Sequence, residues 1–454
     1  MQNLFRFFFA LLAFAIPLEH KYDKPLRFFS KSLIPDGLIL PKWFETKIYF
    51  YPSDLIAPVL ILFAIFAFKV PLRRFFFDRT HSFLWAFFLF GALSIVASPL
   101  CHYSLLYIRL WQWLTAIFVF CLAAHKKEFA PTLLRALIAI AILQSLFAIA
   151  QYFHQGSFGL RLFGEPEFNR GIKSACALKV PGGYRWIFDR GTLFNTNIIV
   201  RVMGTTAHPN VLGGFLALTT LASLGFFNLS QKKWVWSLFI FIQLSAMTLT
   251  FSRGAIFAFG VGAIIWFMMH WKHSPHLAKA ATLLCFCAVT IGFLFQDQLT
   301  HRGGFVNYNE LAAGSDAYRL QQQTLSLDMI QRHPFFGVGF QQFSLRAHEF
   351  LPIDPTQHVN GVHNIYLMIA SEMGLIALVC FLAFLISLFL SIRNAPYSPI
   401  LASLTAMLIA FLLIGCCDFY PLLFQMGRLL FFITAGLLIA HAKTSETIAQ
   451  ESTL

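Results

Sequence analysis

Arg201 opens the first of four polar strips, Arg-Val-Met-Gly-Thr-Thr-Ala-His-Pro-Asn-Val-Leu-Gly-Gly at 201–214, which runs directly into an apolar stretch. Pro209 suits the first turn of a helix, and the bare N–H groups of a helix start beside a guanidinium form an anion site. His208 and Asn210 serve such a site, or they simply cap the helix. The second strip, Thr-Leu-Thr-Phe-Ser-Arg-Gly at 248–254, sets Arg253 in a tight turn between two apolar runs. An arginine there must be solvated or paired, or it snorkels to lipid headgroups. In the third, Tyr-Arg-Leu-Gln-Gln-Gln at 318–323, Arg319 opens a short amphipathic helix that Pro334, Gly337 and Gly339 bring to an end; a solvated surface arginine is the alternative. The fourth, Val-His-Asn-Ile-Tyr at 362–366, puts His363 and Asn364 at the mouth of an apolar run, with Glu372 and Gly374 deeper in it. Imidazole titrates near neutrality and suits proton transfer, although a histidine at an interface is as readily structural. Guanidinium groups match phosphate oxygens bidentately, so an anionic, phosphate-bearing substrate is the chemistry that suits this set.

The elements that must position these strips are membrane helices. Of 454 residues, 58% are apolar and 12% charged, with a mean hydropathy of +0.68, whereas a soluble domain carries roughly 25% charged residues. That excludes a water-soluble fold. Apolar runs near 4–18, 53–68, 82–98, 104–124, 132–152, 206–228, 234–250, 254–270, 280–296, 364–391, 399–416 and 427–441 predict an all-α polytopic membrane protein of about 12 spans. They form one transmembrane domain over 1–454. The first run reads as an uncleaved helix rather than a signal peptide, since a small-residue cleavage site is not evident. No internal repeat and no broken helix is visible, features that transporters commonly show.

The net charge of +14 is not a nucleic-acid signal, because the basic residues sit at the ends of apolar runs rather than in one stripe. With both termini in the cytoplasm, the short cytoplasmic connections hold Lys69, Arg73, Arg74, Arg79, Lys126, Lys127, Lys232, Lys233, Lys272, Lys279 and Arg393. The short connections opposite hold Arg253 alone, which is the asymmetry of the positive-inside rule. The basic residues of segment 19–52 run against that trend. The orientation sets the long segments 153–205 and 297–363 on the extracytoplasmic face, together with the four strips. Eight cysteines lack zinc spacing and are expected as buried small hydrophobes. The 55 phenylalanines are expected on lipid-facing surface.

In this order and spacing, the four strips resemble the O-antigen ligase and O-antigen polymerase superfamily, membrane enzymes that handle lipid-linked glycans in bacterial envelopes. The resemblance covers about 200–390. The ligase pattern runs from His363 and Asn364 through nine residues to Gly374, and has Ala377 where the family has Gly, Thr or Tyr. Gln323 stands four positions after Arg319, where a second family pattern has Leu.

The resemblance implies a GT-C-like membrane glycosyltransferase of the bacterial inner membrane, with its site facing the periplasm. Its donor is a glycan on a polyprenyl (undecaprenyl) pyrophosphate and its acceptor is lipid A–core, or another glycan if the enzyme is a polymerase. Arg201, Arg253 and Arg319 would hold the pyrophosphate, with His208, Asn210 and Asn364 beside them. His363 would take the acceptor proton, with inversion at the anomeric carbon. Three arginines would replace a divalent ion, so no metal and no other cofactor is expected. A transporter or flippase of lipid-linked sugars is the rival from another class. Ligase against polymerase, the glycan and the oligomeric state stay open at this level.

Overall fold

The computed structural model describes residues 2–18, 51–68, 76, 79–100, 104–125, 127–168, 177–179, 198–273, 277–294, 310–351, 359–393 and 395–451. The basic segment 19–50 and most of the connection 69–78 lie outside these residues. All twelve expected apolar runs form helices: α1 (Gln2–Ala15), α2 (Pro52–Phe68), α3 (Arg79–Val96), α4 (Ser104–His125), α5 (Ala130–His154), α6 (Pro209–Leu229), α7 (Lys233–Leu249), α8 (Arg253–His270), α9 (Leu277–Leu294), α12 (Ile365–Arg393), α13 (Pro399–Gly415) and α15 (Gln425–Glu451). Between them lie α10 (Glu310–Arg332), the short α11 (Phe343–Arg346) and α14 (Tyr420–Leu423), and a two-stranded antiparallel pair, β1 (Ala177–Lys179) with β2 (Ile198–Val200). The architecture is that of an all-α, multi-pass membrane protein. Six helices, Leu106–His125, Ala130–His154, Pro209–Leu229, Arg253–His270, Ile365–Arg393 and Gln425–Ala442, are long and apolar enough to cross a bilayer, and the other six apolar helices are shorter.

Burial separates the inner helices from the outer ones. In the most apolar 18-residue windows of Pro209–Leu229 and Gln425–Ala442, 94% of the positions are buried, against 28% in that of Ile365–Arg393, so α6 and α15 run through the middle and α12 turns much of its surface outward. α6 packs on α7 and α13, α15 on α4, and α12 on α3. The phenylalanines divide accordingly, contrary to a purely lipid-facing role. Phe66, Phe257 and Phe286 are exposed, whereas Phe5, Phe87, Phe120 and Phe215 are fully buried. Rings such as Phe120 and Phe384, 5.5 Å between centroids, meet edge to face in the core. Charged groups inside the bundle find hydrogen-bond partners, as lipid requires. Asp54 accepts from Gln112 at 2.8 Å and from Gln425 at 2.6 Å, and Gln425 accepts from the buried Arg428.

Among the described residues α12 is broken, although no broken helix was expected from the sequence. Gly374 lies inside α12 at φ 89° and ψ 168°, a conformation open to glycine and strained for other residues. The break frees backbone groups that lipid cannot satisfy, and residues 334–339 satisfy them. Leu375 N–H donates to the Pro334 carbonyl at 2.8 Å, Val338 N–H to Ser371 at 2.8 Å and Gly339 N–H to Glu372 at 2.9 Å. A Cβ on Gly374 would overlap the Phe335 carbonyl, and one on Gly337 would overlap the Glu372 backbone. The buried Glu372 carboxylate then accepts from Gln341 N–H at 2.9 Å and Phe343 N–H at 3.2 Å, which holds the start of α11. The His-Pro-Phe-Phe-Gly-Val-Gly-Phe segment therefore seats the loop after α10 in the notch of α12.

Candidate functional site

Residues 201–206 are irregular backbone lodged among helices, and such a segment needs partners for every N–H and C=O. α5 supplies them from Gln144 and Gln151, seven positions apart on one face, and its left-handed C-cap Gln155 holds the preceding Val200. Gln151 accepts from Gly204 N–H at 2.8 Å and donates to the Gly204 carbonyl at 3.0 Å and to Glu165 at 2.8 Å. Gln144 accepts from Thr205 N–H at 3.1 Å and donates to its hydroxyl at 2.8 Å. Gln155 accepts from Val200 N–H at 3.1 Å. Sequence reasoning passed over these glutamines, although two amides seven positions apart on one face of an apolar helix were a readable signal.

The segment so held fixes Arg201, which is 4% exposed. Its Nε donates to the Thr250 carbonyl and its Nη2 to Asn210 Oδ1, each at 2.8 Å. The first strip is thereby tied to the second. Gly213 and Gly214 allow α6 to approach closely: a Cβ on Gly213 would press on Thr250 and Ser252, and one on Gly214 would overlap the Tyr420 hydroxyl. His208 caps α6, its Nδ1 accepting from Asn210 N–H at 3.0 Å, which is the capping role weighed for it above. Phe251, between Thr250 and Arg253, stands at φ 50°. A non-glycine residue held there is strained by about 1–3 kcal/mol, a feature that clusters at functional sites.

Beyond this frame lies a small pocket of about 50 Å³, lined in part by Asn210, Arg253, Arg319, Cys417, Asp418 and Tyr420. Arg253 heads α8 and is exposed. Arg319 reaches the pocket from α10. It does not open a short helix as expected; α10 spans 23 residues from Glu310 and carries Arg319 well inside. The strip is too polar for apolar periodicity to mark the helix start. Asp418 was not foreseen either. One of its oxygens accepts from Asn210 Nδ2 at 3.0 Å and the other from Phe419 N–H at 2.9 Å. Its place in a turn between apolar runs carried no local motif. Cys416 and Cys417 are exposed rather than buried, because the turn after α13 opens onto the pocket.

α10 also carries the fourth strip. Tyr318, Gln322 and Ser326, four residues apart, share one helix face. The Tyr318 hydroxyl accepts from Asn360 N–H at 3.0 Å, Gln322 Nε2 donates to the Asn360 carbonyl at 3.0 Å, and the Ser326 hydroxyl donates to the Leu367 carbonyl at 3.2 Å. His363 Nδ1 lies 2.7 Å from Gln322 Oε1, and its ring packs 4.7 Å from that of Phe419. Burial pushes the imidazole below its ordinary 6.5; Asp418 opposes the shift and Arg319 adds to it. The lowered pKa favours the neutral ring. Asn364 caps α12, accepting from Tyr366 and Leu367 N–H, and donates to the Cys416 carbonyl at 3.2 Å. Of the seven residues singled out in the sequence, Arg253, Arg319 and Asn210 line one pocket, Arg201 braces it, and His363 interacts with two of its charged groups. His208 and Asn364 spend polar atoms on helix caps.

Arg253 and Arg319 thus share one pocket, with His363 acted on by Arg319 and Asp418. Residues 238–382 match the O-antigen ligase family. No curated protein matches the chain. The O-antigen ligase match includes Arg253, Arg319, His363, Asn364 and the broken helix at Gly374, and it supports the resemblance to the superfamily drawn from the sequence. Arg201, His208 and Asn210 precede the matched region and Asp418 follows it. The pocket therefore joins the O-antigen ligase region to side chains from either side of it.

Proposed function

We propose that the protein transfers a glycan from a polyprenyl pyrophosphate to a sugar hydroxyl of lipid A–core, at the extracytoplasmic face of the bacterial inner membrane. The observation that carries this reading is the meeting of Arg253 and Arg319 on one pocket, with His363 within electrostatic reach of Arg319 and Asp418. The twelve apolar helices would each span the bilayer, in a GT-C-like arrangement over 1–454, and the basic connections would face the cytoplasm.

In this reading the two arginines hold the donor pyrophosphate, while Arg201, Asn210, His208 and Asn364 keep the cradle in shape. The acceptor oxygen attacks the anomeric carbon as the bond to the pyrophosphate oxygen breaks. Its proton passes to His363, and the carrier departs with the negative charge that the guanidinium groups stabilise. One displacement inverts the anomeric centre. The arginines supply the charge that a divalent ion would otherwise bring, so the reaction is metal-independent. A polymerase of the same superfamily would use the same donor site with a second glycan as acceptor.

The test is to incubate purified protein with a polyprenyl-pyrophosphate glycan and either lipid A–core or a second molecule of the same glycan. Transfer to lipid A–core is the expected result, whereas chain extension alone would make the protein a polymerase. Movement of the intact carrier across proteoliposomes without glycan transfer would overturn the enzymatic reading.

A further inference from the structure

We propose that Gln322 is a positioning residue that decides which imidazole nitrogen of His363 carries the proton, and so which nitrogen receives the acceptor's. The inference rests on the glycan-transfer reading and adds to it the orientation of the base. Gln322 is 1% exposed and its amide is engaged at both ends. Nε2 donates to the Asn360 carbonyl at 3.0 Å, and a carbonyl only accepts, so that contact fixes which end of the amide is nitrogen. Oε1 must then be the atom 2.7 Å from His363 Nδ1. An amide oxygen cannot donate, so Nδ1 carries the hydrogen, and in the neutral ring Nε2 holds the free lone pair.

The surroundings keep this arrangement from sliding. Tyr318 and Ser326, one turn before and after Gln322 on α10, hold Asn360 and Leu367 on either side of His363. Charged groups acting on the ring are Arg319 from the same helix and Asp418 from the turn after α13. Tyr318 on α10, Tyr366 on the first turn of α12, Cys416, Cys417 and Tyr420 about Asp418, and Arg253 across the pocket are further titratable groups of this corner. A neutral amide has a consequence that a carboxylate would not. A carboxylate on Nδ1 stabilises the imidazolium and raises the basicity of the ring, whereas Gln322 orients the ring and leaves its charge to Asp418 and Arg319.

Two variants and one spectrum test this. Nitrogen NMR of ¹⁵N-histidine-labelled protein in detergent, with the His363 signals identified by their loss in His363→Gln, should show neutral His363 protonated at Nδ1. Gln322→Glu keeps the acceptor and adds charge; it should keep that tautomer and move the acid limb of the transfer rate upward by about one pH unit or more. At pH 6 it should be about threefold or more slower than wild type and recover toward pH 8. Gln322→Leu removes the acceptor, frees the tautomer and should lower kcat about tenfold or more at every pH, with donor KM unchanged. A purely structural role predicts equal losses in both variants and an unmoved limb, and that outcome would overturn the proposal. So would wild-type His363 protonated at Nε2. If wild-type protein transfers no glycan, the functional reading fails while the spectrum still decides the role of Gln322.

Discussion

Arg201 Nη2 and Asn210 Oδ1 are joined by a hydrogen bond of 2.8 Å, and the same asparagine donates to Asp418, 208 positions further along the chain, at 3.0 Å. Arg201 is therefore a brace between the start of α6 and the turn at Thr250, with its fork turned to protein acceptors. Arg201→Lys keeps one charge but cannot reach both acceptors, and lost charge-assisted hydrogen bonds cost about 1.5–3 kcal/mol. The variant should melt several degrees lower in detergent. Arg253→Lys, exposed at the pocket, should keep the melting temperature and bind the donor more weakly. Equal melting temperatures for the two variants would remove Arg201 from the bracing role.

His363→Ala should slow glycan transfer by roughly 10²–10⁴-fold with donor binding nearly unchanged. Arg319→Lys keeps the charge and loses the planar fork, so it should weaken donor retention as well as turnover. For a base, the neutral form is active, and the His363 pKa lies below 6.5 because of burial. The wild-type rate should thus be flat from pH 7 upward and fall on the acid side of 6.5. A limb centred above pH 7, or near-normal transfer by His363→Ala, would exclude this histidine as the base.

Cys417 is exposed on the pocket shared by Arg253 and Arg319. In a variant retaining that cysteine alone, a membrane-impermeant thiol reagent should label it from the extracytoplasmic side of sealed vesicles, and polyprenyl pyrophosphate should slow the labelling. Labelling from the cytoplasmic side only would invert the orientation drawn from the basic connections.

Gly374→Ala should destabilise the fold by more than about 1–3 kcal/mol, since it adds the strain of a positive φ to the overlap with the Phe335 carbonyl. Gly254, where a Cβ meets nothing within 4 Å, provides the control: Gly254→Ala should be neutral. The comparison is read as detergent melting temperature. Unchanged melting of Gly374→Ala would mean that the notch in α12 is not rigid.

The apolar helices and part of the geometry at their ends follow from local sequence. Partition of long apolar runs into lipid and the capping by His208 before Pro209 depend on neighbours a few residues away, so they were legible in the one-dimensional pattern, whereas Asn364, read as a substrate contact, proved to cap its helix. The arginines and the histidine were legible as well, because a cation among apolar runs stands out. Tertiary structure alone decided the rest. Gly374 looks like any glycine in an apolar run until the Phe335 carbonyl is seen against it. Asp418 acquires a role only when α13 brings it to Asn210, and Gln322 only when α10 lies along residues 359–367. The pairing of Gln322 with His363 spans 41 positions. Which side chains meet across such distances depends on how all the helices pack at once, and on the requirement that each polar group shut away from water finds a partner, conditions that no single segment carries.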